Sequence, residues 1–162
     1  MAHKASIVFD ENKRQYQILS LDYCITQKVN SNMVATHFPQ FSQFSMTLLA
    51  QDNTDLFFYE WMNNLKDNRN ATIWIDVVNK GKLSAKTLVL YNAHPTFVKE
   101  NYNFLEEKQM TIQLTLSCEA VAFELRAAKD TARWQNENLD QDNSVFFSSS
   151  RKYKTKETAN PR

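Results

Sequence analysis

The sequence predicts a mainly β fold, an antiparallel barrel or sandwich with one α-helix that caps or flanks it. Several short segments alternate apolar and polar residues with a period of two, as half-buried strands do. Turn-forming residues separate them at the spacing of an all-β domain. One segment, between two such strands, carries its apolar residues at helical spacing instead.

Residues 5–9 are a short apolar run, followed by a polar turn over 10–15. Leu19, Leu21, Tyr23 and Ile25 then face one way, with Ser20, Asp22, Cys24 and Thr26 opposite. The stretch 30–43 has no period and contains Pro39, which cannot donate to a central ladder. It is expected to be a long extended loop or loose edge segment, a type of segment that is often functional. Its apolar members Met33, Val34, Phe38 and Phe41 have no evident core to enter.

Phe44, Met46, Leu48 and Ala50 resume the alternation. The helix follows, over about residues 55–66, with Asp52, Asn53 and Thr54 offering N-cap oxygens. Phe58, Trp61, Met62 and Leu65 fall at i, i+3, i+4 and i+7 and are expected to pack on the strands. Glu60, Asn63 and Asn64 form its exposed face.

Ile73, Ile75 and Val77 mark another strand, turned by "NKGK" around Gly81. The next strand, over 83–98, is apolar on both faces between Leu88 and Tyr91, so it is covered on both sides. A loop is expected over 100–108. Met110, Ile112, Leu114, Leu116 and Cys118 give the cleanest alternation in the chain. The phase slips near Glu119 and Ala120, as at a bulge or bend, and Val121, Phe123 and Leu125 continue on odd numbers. From Ala127 the character changes. Residues 1–126 read as one β domain, and 127–162 as an arm around Trp134 and a flexible polar tail, apart from Phe146 and Phe147.

Gly81 is the one glycine in 162 residues. P-loops, Rossmann fingerprints and nucleophile elbows each need several glycines where the backbone turns tightly, so most phosphate-cradling chemistry is excluded. A formal net charge of +1 gives no global attraction to nucleic acid or an anionic membrane. No run approaches the roughly 18 apolar residues that span a bilayer. The N-terminal segment lacks the apolar stretch of a signal peptide, so synthesis is expected in the cytoplasm, and any export would need another route. Cys24 and Cys118 have no metal-ligand spacing and read as reduced core or wall residues. His3, His37 and His94 have no ligand or triad partner at a recognisable spacing. Adjacent Glu106 and Glu107 suit a solvated turn rather than an acid–base pair. The five basic residues from Arg151 to Arg162 read as a solvated end. No catalytic residue, metal or cofactor is expected.

The order of elements brings a family into view. A strand with "LDYCITQKV" leads to a long loop, then "FSMTLLAQ" and "DNTDLFFYEWM". A strand-turn-strand follows, then "LYNAHPTFVKENYNFLEEKQMTIQLTLSCEAV". Over about residues 5–126 this resembles the Hcp (TssD) tube proteins of type VI secretion, in their divergent branch. Glu60, Trp61 and Met62 match that branch's helix. Tyr91, Lys99, Glu100, Asn101, Tyr102 and the threonine-rich strand 111–115 match its later elements. The chain departs from the branch in the loop over 30–43, where glycines are usual, and in its extension beyond Trp134.

The resemblance implies a β-barrel of six-stranded type flanked by one helix, without enzymatic activity. It implies hexameric rings that stack into a tube within a contractile sheath, with spike and effector proteins as partners. It implies neither nucleic acid nor stable membrane association, and export by contraction without a signal peptide. The loop residues Met33, Val34, Phe38 and Phe41 would then lie at a subunit or ring interface. Two alternatives stand beside it: a tail-tube subunit of a phage-like contractile injection particle, and a monomeric β-barrel binding a small apolar ligand.

Overall fold

The computed structural model describes residues 4–9, 14–50, 56–79, 82–103, 108–127 and 144–148. Their elements run β1 (Ala5–Phe9), β2 (Gln15–Asp22), β3 (Ile25–Thr26), β4 (Gln40–Phe41), β5 (Phe44–Leu49), α1 (Phe57–Asn63), β6 (Arg69–Asn79), β7 (Lys82–Asn103), β8 (Lys108–Ser117), β9 (Ala120–Ala127) and β10 (Ser144–Ser148). The main sheet has the order β10-β9-β7-β6-β1-β2-β5-β8, and a further pairing of β7 with β8 closes it. A six-stranded antiparallel barrel results, flanked by one helix.

Closure depends on the length of β7, which spans 22 residues. Its first half pairs with β6 on one side and β9 on the other; its second half pairs with β8. At the break between β8 and β9 the sheet divides. β8 turns to β5 and completes the barrel, while β9 runs outward and is edged by β10. The phase slip seen near Glu119 is this division: Cys118 and Glu119 lie between the two strands. Across from it Asn92 has a φ of 49°, a left-handed conformation that asparagine tolerates better than most residues. Its amide nitrogen donates to Asn70 Oδ1 at 3.1 Å, and its side-chain Nδ2 donates to Glu119 Oε2 at 3.1 Å.

The period of two fills the interior. Ile7, Ile73, Leu88, Leu90, Leu114 and Leu116 have no exposed surface, and Phe44, Met46, Leu48 and Ala50 are all buried. Each such aliphatic or phenyl group contributes roughly 1.5–3 kcal/mol through burial. β2 departs from the expected phase. Its register with β5 shifts between Ile18 and Ser20, so Tyr16 and Ile18 point inward before the bulge and Leu21 and Tyr23 pack on the core after it. Leu19, expected to share the inner face with Leu21, is the bulged residue and is 51% exposed. Part of the expected loop over 100–108 is strand instead: β7 continues to Asn103 and β8 begins at Lys108, with 104–107 outside the described residues.

Aromatic clusters seal both ends of the barrel. At one end Phe9 meets Tyr16, Phe57, Phe58 and Trp61, with ring centroids 5.4–6.0 Å apart. The helix supplies three of those rings. At the other end Tyr23 stacks on Phe44 at 5.2 Å and meets Phe123 at 5.8 Å, and Phe147 of β10 stands edge-on to Phe123 at 5.7 Å. Lys86 Nζ donates to Tyr23 Oη at 3.0 Å and lies over the Tyr23 and Phe123 rings. β10 was not anticipated: it falls in the part of the sequence expected to be a polar tail. Trp134 and Gly81 lie outside the described residues.

The helix is shorter than the expected 55–66. Leu56 occupies its N-cap position without a side-chain cap hydrogen bond, and Asp52, Asn53 and Thr54 lie outside the described residues. At the other end Asn64 adopts an extended conformation, and its Oδ1 accepts from the Lys66 amide at 3.4 Å. Asparagine competes with helix in this way by bonding its own neighbouring backbone. The turn that follows takes Leu65 off the helical face, leaving it 83% exposed. The expectation that Leu65 packs on the barrel is therefore corrected.

Candidate assembly surface

Residues 23–43 form a projecting hairpin arm rather than an irregular loop. β3 pairs with β4 at its base, and an isolated bridge joins Val29 to Ala35 near its tip. The arm's own polar groups hold it together. At the base the Cys24 amide donates to Ser42 Oγ at 2.9 Å and the Ser42 amide to the Cys24 carbonyl at 2.8 Å. Midway, Gln27 Nε2 donates to the His37 carbonyl at 2.9 Å, and the Thr36 amide and hydroxyl both donate to the Lys28 carbonyl. At the tip, Asn30 Oδ1 accepts from the amides of Asn32 and Val34, each at 3.0 Å.

With the backbone so satisfied, the apolar side chains face outward. Met33 is 82% exposed, Phe38 64% and Val34 58%, and Val29 and Ile25 are exposed beside them. Phe41 behaves differently. It is half-buried against the core, its ring 6.2 Å from that of Phe44. Of the four expected interface residues the fold thus presents three together on the arm and uses the fourth to anchor its base. Cys24, read as a core or wall residue, is exposed.

The helix carries the second predicted group. Phe58 and Trp61 are buried in the core and Met62 is half-buried. Glu60, Asn63 and Asn64 are exposed, Asn64 lying just past the last helical residue. A polar clasp not visible in the sequence fixes this end. Trp61 Nε1 donates to the Asp67 carbonyl at 2.7 Å, and Arg69 donates to the Asp67 carboxylate at 2.6 and 3.1 Å. The Arg69 guanidinium lies over the Phe57 and Trp61 rings. That hydrogen bond from Arg69, with its charge, holds the Asp67 carboxyl below its ordinary range. Beside the helix the Tyr102 hydroxyl donates to Glu100 Oε2 at 2.6 Å. That bond pushes the Tyr102 hydroxyl pKa up; burial first and then Glu100 do the same for Tyr59.

The outer strand faces are mostly polar, with Phe97 and Trp74 among the exceptions. Ser45 and Thr115 hydroxyls meet at 3.2 Å across β5 and β8. A hollow of about 640 Å³ lies over β1, β2 and β6, lined by Lys4, Gln15, Gln17, Trp74 and Asp76 among others. Among the described residues no three His, Cys, Asp or Glu side chains are placed to hold a metal ion, and no helix is long and apolar enough to cross a membrane.

A closed barrel, one end-capping helix and a long arm between the second strand and the third barrel strand are a distinctive combination. The family model for hemolysin coregulated protein Hcp (TssD) matches residues 1–135. The chain belongs to the Hcp (TssD) family. Its class is that of a type VI secretion tube protein, a structural and secreted component.

Solved Hcp structures share the fold. A crystal structure of an Hcp protein superposes with a TM-score of 0.61 at 10% identity, covering 90% of this chain and 98% of that one. Hcp1 from Flavobacterium johnsoniae gives 0.58 at 16% identity, over 77% and 99% of the two chains. Hcp3 from Pseudomonas aeruginosa gives 0.56 at 9% identity, over 91% and 98%. Comparison with curated proteins gives no match. Sequence reasoning about this Hcp chain missed the arm's internal clamps. The Asn-Ser-Asn run at 30–32, a turn-forming signature, is the signal that could have found the tip.

Proposed function

We propose that this chain is the subunit of hexameric rings that stack into the inner tube of a type VI secretion system. The rings carry effectors in their lumen, meet sheath and spike proteins, and are expelled when the sheath contracts. Assembly takes place in the cytoplasm, and export needs no signal peptide, nucleic acid or stable membrane contact. The chain acts as a structural part and not as an enzyme.

The observation that carries this reading is the arm. Met33, Val34 and Phe38 are exposed together on an element whose backbone is already hydrogen-bonded, so the apolar surface is offered to another chain rather than to the barrel. The rival reading as a ligand-binding barrel needs an enclosed apolar cavity, whereas the interior positions here are filled by fully buried side chains.

Light scattering on a sizing column, with negative-stain images of the peak, tests the proposal. Hexamer-sized rings or stacks are expected for the parent chain, and monomers of unchanged melting temperature for Phe38→Asp. A parent that stays monomeric at every concentration, alone and with its sheath and spike partners, would overturn it.

A further inference from the structure

We infer that Asn30 is a positioning residue for assembly: its side-chain carbonyl sets the arm's tip so that Met33 and Val34 are presented in the geometry that a second copy of this chain binds. The inference rests on the proposed assembly and adds to it the group that prepares the contact.

Four hydrogen bonds converge on this one residue. Its Oδ1 accepts from the amides of Asn32 and Val34 at 3.0 Å each. Its own amide donates to the Val34 carbonyl at 2.9 Å, and its carbonyl accepts from the Met33 amide at 3.0 Å. Two of the four need the side chain. They fold the backbone tightly enough that Met33 takes a φ of 61°, a left-handed conformation uncommon for a residue with a long side chain. Every residue from Cys24 to Phe38 is exposed, so the core gives the tip no support.

Met33 is thus an exposed methionine in an uncommon backbone conformation. It places an 82%-exposed apolar side chain in the turn at the arm's tip, next to Val34. A tip that already has its bound shape avoids the ordering penalty on association. If loss of the Asn30 acceptor left the competent shape populated about a tenth of the time, apparent affinity would fall about tenfold.

The test compares the parent with Asn30→Ala, Asn30→Asp and Phe38→Asp. Each is assayed for melting temperature, for the protein concentration at which rings form, and for hydrogen exchange at the amides of Asn32 and Val34. Asn30→Ala is expected to keep the parent's melting temperature, to exchange both amides faster and to raise the assembly concentration about tenfold. Asn30→Asp keeps an acceptor oxygen and is expected to assemble like the parent. If Asn30→Ala assembles at the parent's concentration while Phe38→Asp stays monomeric, the positioning role is wrong and the assembly reading stands. A fall in melting temperature for Asn30→Ala, or equal failure of Asn30→Asp, also overturns it. Rings from Phe38→Asp would instead remove the arm from the interface and with it the positioning role of Asn30, while ring assembly would stand on other surfaces.

Discussion

Trp61 is gripped by an aromatic neighbour, a cation and a backbone acceptor at once. Its ring meets Phe9 at 5.4 Å, Arg69 covers it, and its Nε1 donates to the Asp67 carbonyl. Trp61→Ala removes a fully buried ring and is expected to destabilise the chain by about 3–5 kcal/mol, measured by urea unfolding. Leu65, four residues on, is the contrast: Leu65→Glu should change stability by less than about 0.5 kcal/mol. The Asp67 carboxyl lies below its ordinary range because Arg69 bonds its charged form. Its contribution is whole above the unfolded carboxylate pKa and is lost as the pH falls through the folded one. Asp67→Asn should therefore be less stable than the parent at neutral pH, with a gap that closes on acidification. Burial pushes the Cys118 thiol up to about 12, so iodoacetamide should modify exposed Cys24 in the folded chain and Cys118 only after unfolding.

The strands were the most legible elements. Alternation over 44–50 and 110–116 names residues that are in fact buried, and Cys118 after them is half-buried, because a strand between core and solvent leaves no other phase open. Leu19 was misread because a bulge reverses the phase without any mark in the hydrophobic pattern. The helix length was misjudged because Asn64 competes for the backbone just where the apolar stripe continues to Leu65. The arm was legible as a segment without a core, but not as a hairpin, since its order comes from side-chain clamps and not from periodicity. Phe41 shows the limit of such pattern reading: only the fold brings it to Phe44. Phe41→Ala should lower stability by roughly 1–3 kcal/mol, whereas the exposed Phe38 can be changed without that loss. β10 lay hidden in polar surroundings. A chain ending at residue 143 loses the Phe147 contact with Phe123 and bares the edge of β9. It is expected to melt lower and to aggregate on a sizing column, as unpaired edges do.

At the scale of the whole molecule, each subunit closes on itself. The helix seals one end of the barrel and the flap of β9 and β10 the other, so among the described residues the core is closed within one chain. The dissociated Phe38→Asp chain should thus unfold in one cooperative step, with a midpoint independent of protein concentration. Family membership and architecture were within reach of the sequence because element order survives where identity has fallen to 10%. Which residues meet a neighbouring copy belongs to the surface, where composition constrains little.

The seam between β5 and β8 has a consequence in time. It joins Phe44 to Leu116 and Leu49 to Thr111, partners separated by the helix and the whole of β6 and β7. A ribosome adding roughly 5–20 residues per second leaves β5 without that partner for about 3–14 s. During the wait the inner faces of Met46 and Leu48 have no roof, and nothing can bring the missing strand sooner. Folding of this chain is therefore paced by its synthesis, and a holding chaperone that shields β5 should raise the yield of soluble protein more than one that speeds later rearrangement.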